Sequence, residues 1–507
     1  MMGTKERSFA PLTHISLEEL VPQNHFYRSL EQKLDLSFVR EFVQETYGGL
    51  GRPSIDPVVF FKLQLVMFFE GIRSERQLVL QAADRLSVRW YLGYDLDEPL
   101  PDHSSLSRIR ARYGLSVFRR FFEAIVEQCQ QAKLVWGKEL YLDSTQVNAN
   151  AAMDSLVTRF AYETREAIQA HLAALFAEAH SESESEAVAS EEAFTAPEPT
   201  PLPVALSEPE REQLEAELST RHDWIQEEGR QQREVHGLYQ RRSDQRVSTT
   251  DPDATPMRLK SGGLHLGYHT HYVVDGGKRR IILTALVTPA EVTDNRPMLD
   301  LVFHTQCRWR LKARQVTGDT KYATIENIQA LEDQGIRAYV PLPNWEEQHE
   351  VWSSSHFRYE PEQDQYRCPQ DQVLYRAGEV DASTGRQLYR APAPLCNRCP
   401  VKAQCTSSTQ GRRVYRPVGA EYLERVRTYE QTPAYQKALR KRRVWVEPLF
   451  AEAKDWHGMR RFRLRRLWRV NCEALVIAAG HNLQQLLRKQ GWGRRPFPTD
   501  ALCGSFG

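Results

Sequence analysis

Three acids in this sequence have the types and settings that metal-dependent phosphate chemistry needs. Asp143 lies in LYLDST, Asp319 in VTGDTKYA, and Glu447 in the basic stretch ALRKRRVWVEPLFAEAKDWHGMRRFR. A hard divalent cation such as Mg²⁺ takes few protein carboxylates and keeps waters or phosphate oxygens as its other ligands. Two such ions can activate a water or a 3′-hydroxyl and stabilise the leaving oxygen of an in-line displacement. Asp143 and Asp319 each follow a short run of apolar and β-branched residues that predicts a strand, ending at Asp143 in one case and near Asp319 in the other. Strand ends of an α/β sheet are where functional groups collect. A lone Asp after a strand is more often a turn or cap residue, and two in matching settings carry more weight. Glu447 is placed by helical spacing. Arg443, Glu447 and Lys454 fall at roughly 0°, 40° and 20° around one helix, whereas Glu452 is about 140° past Glu447 and points elsewhere. A plain Arg443–Glu447 ion pair is the competing reading, and Pro448 predicts that a helix starts or kinks there. Arg443 and Lys454 would contact phosphate.

Cysteines form a second constellation. Cys396-Asn-Arg-Cys399 is a CxxC knuckle, Cys405 follows, and Cys368 precedes beside Pro369. Four thiolates suit a tetrahedral structural Zn²⁺ in a segment with no visible core. His356 is a possible substitute ligand, and reduced thiols without metal are the alternative. Cys129, Cys307 and Cys472 fall on apolar helix faces and read as core residues. His265, His269 and His271 alternate along a predicted strand and share a face; such a set can bind metal, but strand period alone produces it, and His269 and His271 read as facing DNA or hydrogen-bonded in a core.

The elements that must position these residues read as follows. Residues 1–132 are helical, with PVVFFKLQLVMFFEGI apolar on most faces and Pro57 suited to a first turn. Ser104 or Ser105 would start a short basic helix carrying Arg108, Arg110 and Arg112, set against phosphate or plain solvent. Residues 133–154 hold the first strand. Residues 155–245 look like an insert, a helical hairpin around a Glu/Ser/Pro-rich middle too poor in apolar residues to order. Residues 246–345 give two strands around an Asp275-Gly276-Gly277 turn, then helix, strand, helix, strand. Antiparallel strands followed by parallel αβ units define a mixed α/β sheet, the order of an RNase H-like fold. Residues 346–416 form the loop-rich cysteine insert, 417–490 a helical basic region, and 491–507 a frayed tail.

Composition sets bounds. The 507 residues, 41% hydrophobic and 26% charged, imply about three soluble domains. No apolar run approaches the ~20 residues of a membrane span, and the first twenty residues lack the apolar core of a secretory signal, so a cytosolic protein is expected. The net charge of +1 hides two opposed runs. Glu178–Glu217 is strongly acidic, while Arg440–Arg469 holds eleven basic residues against three acids, an asymmetry that points to nucleic acid. Within the basic run, RRFRLRRLWRV offers Arg460, Arg461, Arg463, Arg465 and Arg466 for phosphate contact.

These stretches resemble bacterial insertion-sequence transposases of the DDE class, in the insertion-sequence-five superfamily and closest to its eleven-eighty-two group. The likeness rests on LDST, on GYHTHYVVD with TALVTPAEVTDN, on TGDTKYAT, and on R-x3-E-x6-K met by Arg443, Glu447 and Lys454. It departs where the family has Tyr three residues before that Arg and this chain has Arg440. The resemblance implies an RNase H-like core, Mg²⁺ or Mn²⁺ on Asp143, Asp319 and Glu447, and cutting and joining of DNA at terminal inverted repeats. It also implies a target DNA, a homodimer or higher oligomer, and a nucleoid setting. A catalytically inactive DNA-binding derivative of a transposase and a non-transposing nuclease are the other classes open at this level.

Overall fold

The computed structural model describes residues 16–47, 54–158, 162, 246–259, 262–343 and 351–489. Most of the expected 155–245 insert and the tail 491–507 lie outside the described residues.

Among the described residues, seven helices precede the first strand: α1 (Leu17–Leu20), α2 (Phe26–Lys33), α3 (Phe38–Val43), α4 (Pro57–Glu70), α5 (Glu75–Asp84), α6 (Leu86–Leu92) and α7 (His103–Gln131). α4 begins where the Asp56 carboxylate accepts the Val58 N–H at 2.8 Å, with Pro57 in the first turn. Every residue from Phe60 to Phe69 is buried, so α4 is the central helix of the bundle. α7 is capped by Asp102, which accepts the Ser104 N–H at 2.7 Å, one or two residues before the expected serine start. It is also not short. It bends at Gly114, where φ is +63°, and continues to Gln131.

The main sheet starts with β1 (Glu139–Asn148) and takes in β4 (Thr255–Arg258), β5 (Leu264–Asp275) and β6 (Ile282–Pro289); β2 (Leu156–Thr158) and β3 (Arg246–Ser248) form a separate two-stranded ribbon. Helix α8 (Met298–Trp309), β7 (Gln315–Thr317), α9 (Ile325–Asp333) and β8 (Arg337–Tyr339) follow. The order is β4-β5-β1-β7-β8, with β6 also on β5. Pairs among β1, β4, β5 and β6 are antiparallel, while β1–β7 and β7–β8 are parallel. The mixed sheet is thus present as expected, but β1 does not stop at Asp143. It pairs with β5 as far as Asn148.

Residues 351–417 depart from the loop-rich insert that composition predicts. They form an antiparallel sheet of β9 (Arg358–Glu360), β10 (Gln365–Arg367), β11 (Val373–Arg376), β12 (Arg386–Arg390) and β13 (Arg413–Pro417), with short helices α10 (Ala393–Asn397) and α11 (Lys402–Cys405) between the last two. Its own small core is Phe357, Tyr366, Leu374, Tyr389, Ala391 and Val414. Among the described residues four helices follow: α12 (Ala420–Glu430), α13 (Pro433–Trp445), α14 (Glu447–Trp456) and α15 (Leu467–Lys489).

α15 has a second task besides packing. β6 is an edge strand, whose outward backbone groups need partners. The Asn482 amide takes both the N–H and the C=O of Ile282, each at 2.8 Å. Asn471 does the same for Val287 at 2.9 and 3.0 Å. Eleven residues separate the asparagines, a helix span of about 16.5 Å on one face. The five steps from Ile282 to Val287 include the irregularity in the β5–β6 pairing and span at most about 16.5 Å as strand. The match lets one helix seal the sheet edge. One continuous core then joins α4 and α7, the sheet, and α14 and α15. Among the described residues no helix is long and apolar enough to cross a membrane.

Candidate functional site

Asp143 and Asp319 meet because of strand register. Tyr141 of β1 pairs in parallel with Thr317 of β7, and two residues further on each strand stand Asp143 and Asp319. Asp319 has left β7 and caps the turn Thr320–Tyr322, accepting the Lys321 N–H at 3.0 Å. On β1's other side, Asp143 lies opposite Tyr272, so both side chains share a face. Tyr272 stacks on Phe450 of α14 with ring centroids 4.5 Å apart. That contact lays the first turn of α14, which begins with Glu447, against the Asp143 face.

Arg442 stands between these acids. Its guanidinium is 3.0 Å from Asp143 Oδ2 and 3.7 Å from Glu447 Oε1. Sequence spacing chose Arg443 as the neighbour of Glu447, which holds only on an unbroken helix. The helix breaks at Val446, and α14 restarts at Glu447 with Pro448 in its first turn. The break re-aims Arg442, and Arg443 is exposed on α13. Pro448 was the signal available for this.

Burial pushes the Asp143 carboxyl up to about 6; Arg442 and the Ser144 N–H, 2.9 Å away, pull it down, while the charges of Asp319 and Glu447 push it up. Asp319 and Glu447 are therefore near enough for their charges to act on Asp143. Asp143 is buried, Asp319 half-buried and Glu447 exposed, so the site opens to solvent from the Glu447 side. Beneath Asp319, Lys321 forms an ion pair with Asp294, which also lies 3.1 Å from His269 Nδ1. His269 and His271 are buried and hydrogen-bonded, His269 to the Val292 carbonyl at 3.2 Å and His271 to Thr288 at 3.0 Å. They lie in the core, the second of the two settings expected for them. His265 is exposed.

The basic residues divide. The backbone of Arg460–Phe462 runs beside the end of β1, with Asn148 N–H on the Arg460 carbonyl at 3.1 Å and Phe462 N–H on the Asn148 carbonyl at 2.9 Å. Arg460, Arg461 and Arg465 are exposed along this strap. Arg463 turns inward to Glu75 at 2.9 Å, where Arg110 is also paired. Arg466 is half-buried, its backbone N–H on Asp251 at 2.8 Å. Lys454 is half-buried on α14. In α7, Arg108 is exposed and Arg112 covers the Tyr47 ring, so of the three arginines there Arg110 is the one committed to the interior.

The four cysteines line one cavity with Trp352, Leu374 and Arg412. Cys368 Sγ accepts the Gln372 N–H at 3.3 Å and Cys396 Sγ the Arg412 N–H at 3.4 Å. Burial raises the Cys405 thiol, and the other three cysteines add to the rise. His356 is exposed and stacked on Trp352, outside this cavity lining. Cys129 and Cys472 are core residues with thiols pushed up to about 12 by burial. Cys307, expected beside them, is exposed, because it falls on the outer face of α8.

Two parts of the chain match known families. Residues 15–112 match a family described as a transposase domain (DUF772), and residues 367–487 match one described as a transposase DDE domain. Together the matches indicate a DDE transposase family. The second takes in Glu447 and all four clustered cysteines, while Asp143 and Asp319 lie outside both. No curated protein and no solved structure matches the chain.

Proposed function

We propose that the chain is an insertion-sequence transposase of the DDE class, in the insertion-sequence-five superfamily near its eleven-eighty-two group. In this reading it binds terminal inverted repeats and performs metal-dependent cleavage and strand transfer. The observation that carries it is the convergence of Asp143, Asp319 and Glu447, from two adjacent parallel strands and a helix start, in a chain with two transposase-domain matches. The strand order β6-β5-β1-β7-β8, antiparallel and then parallel, supports an RNase H-like core.

The donor set suits a hard divalent cation. Asp143, whose ionisation the charges of Asp319 and Glu447 make costlier, forms with those two acids and the Arg442 guanidinium a site that a cation would relieve. Asp143, Asp319 and Glu447 would hold Mg²⁺ or Mn²⁺, which when bound supplies nucleophile activation and leaving-group stabilisation. The chain's own groups do the remainder. Arg442 holds Asp143 in place and offers positive charge to a phosphate at the open side. Lys321, anchored on Asp294, fixes the turn that carries Asp319. Arg443, Lys454, Arg460, Arg461 and Arg465 would meet the DNA backbone, a contact that weakens with salt. Arg463 and Arg466 act in that surface only indirectly, through their inward contacts. The four cysteines would hold a structural Zn²⁺, and pairing of two DNA ends implies at least a dimer.

The test is a strand-transfer assay with Mn²⁺ on a plasmid carrying the DNA that flanks the coding sequence. Joined products are expected from the wild type and none from Asp319→Asn. Unchanged activity in that variant would remove the acid assignment. Cleavage without joining would make the protein a nuclease, and binding without cleavage an inactive derivative.

A further inference from the structure

The acid helix α14 carries a second cluster on its far side. Glu452 is about 140° round the helix from Glu447, so it projects away from the acid site. It meets His457, which ends the helix, and His481 of α15. One ligand atom from each of the three lies within 4.8 Å of the others. His457 Nε2 is 3.9 Å from Glu452 Oε1, and His481 Nδ1 is 3.9 Å from Oε2. The two imidazoles are buried, with ring planes at 87° and centroids 5.2 Å apart, while Glu452 keeps 28% of its side chain exposed.

The hydrogen bonding of His457 gives this geometry its meaning. Its Nδ1 is 2.9 Å from the Phe68 carbonyl oxygen. A carbonyl only accepts, so Nδ1 carries the hydrogen, and in the neutral ring Nε2 presents a lone pair. Phe68 also stacks on the imidazole at 3.8 Å and 11°, which fixes its rotation. Nε2 thus faces a carboxylate oxygen, as acceptor against acceptor when the ring is neutral and as donor when it is protonated. At 3.9 Å the two atoms are beyond hydrogen-bond range. Two ligands about 2.1 Å from a shared tetrahedral ion stand roughly 3.4 Å apart, so atoms now within 4.8 Å of one another must draw together to close on an ion. A backbone carbonyl holding the far nitrogen of a ligating histidine is the usual outer support of such sites. The competing cation is Arg280, whose charge acts on Glu452.

We propose that Glu452, His457 and His481 form a metal site separate from the acids and from the cysteines, taking a borderline ion such as Zn²⁺. Two imidazoles and one carboxylate favour Zn²⁺ over Mg²⁺, with the exposed side of Glu452 leaving room for water. The ion would tie the end of the acid helix to α15 and, through the Phe68 carbonyl, to α4. The proposal does not depend on the transposase reading.

The full chain, stripped with chelator, is dialysed against limiting Zn²⁺ in excess Mg²⁺, and bound zinc is counted by mass spectrometry. Glu452→Gln, which is nearly isosteric and lies at the rim, is expected to bind one equivalent less than wild type. The rise in Tm on adding Zn²⁺ shrinks with it. Cys396→Ser should keep this equivalent. With Cys368, Cys396, Cys399 and Cys405 all changed to Ser, bound Co²⁺ should show no thiolate charge-transfer band. His481→Gln gives the same loss if it folds; if it does not, Glu452→Gln decides. Equal zinc counts and equal Zn²⁺-dependent Tm shifts in wild type and Glu452→Gln would overturn the site, leaving a histidine–carboxylate ion pair.

Discussion

Asp143, Asp319 and Glu447 are far apart in sequence and rest on a core that runs from α4 to α15, whereas the four cysteines fall within residues 368–405 around a core of six side chains. Both places gather groups that repel one another when ionised. In the acid site the repulsion is met by Arg442 and by a scaffold rigid enough to hold the acids without metal. The small sheet has a charged partner too, Arg412, which lines the cysteine cavity and favours the ionised Cys405 thiol. The sheet's burial, however, is too slight to order so many residues alone, the situation in which small domains depend on a metal. A metal at the acids would therefore serve chemistry, and one at the cysteines would serve folding.

The largest effect should follow from breaking the cysteine side. Cys396→Ser, or chelation of zinc, is expected to open residues 351–417 to proteolysis. The loss approaches the ~10 kcal/mol of a structural zinc site, while the main core stays protected from hydrogen exchange. Protection of both regions after zinc removal would erase the distinction. Next comes Glu447→Gln on the acid side. It should lower strand transfer by about a thousandfold, roughly 4 kcal/mol of transition-state stabilisation, with Tm unchanged because Glu447 is exposed. A large fall in Tm would instead make Glu447 structural. Arg442→Gln should cost about 2 kcal/mol in metal-free protein, since Asp143 loses the partner of a largely buried pair. Saturating Mn²⁺ should restore much of that loss.

The smallest effect concerns pH. Burial raises the Asp143 carboxyl to about 6, above its ordinary 3.8. A raised carboxyl favours folding while protonated, so this contribution is complete below about pH 4 and disappears as pH rises through 6. In chelator, Asp143→Asn should be more stable than wild type by about 1–2 kcal/mol at pH 7. The two should converge near pH 4. Urea denaturation at both pH values measures the difference, and a constant gap would show that the cost is not ionisation.

The sequence by itself determined a strand at each of the two aspartates, the apolar helix that starts at Pro57, the mixed sheet and the cysteine set, because local period and residue type encode these. Asp275, which follows the β-branched run of β5 and accepts backbone N–H groups from Trp136, Gly137 and Gly277, was legible as a turn residue for the same reason. The ordered sheet around the cysteines was not, since its strands are short and alternate weakly. Only tertiary structure decided that Arg442 rather than Arg443 faces Glu447. The outcome depends on a single break at Val446, and a 100° error per residue in helical phase changes the neighbour. Tertiary structure likewise turned Arg463 inward to Glu75 and set Asn471 and Asn482 on the edge of β6, where the partners lie hundreds of residues away. Glu452 shows both sides of the division. Helical spacing pointed it away from the acids, but what waited there, His457 and His481, was fixed by where α15 passes Glu452.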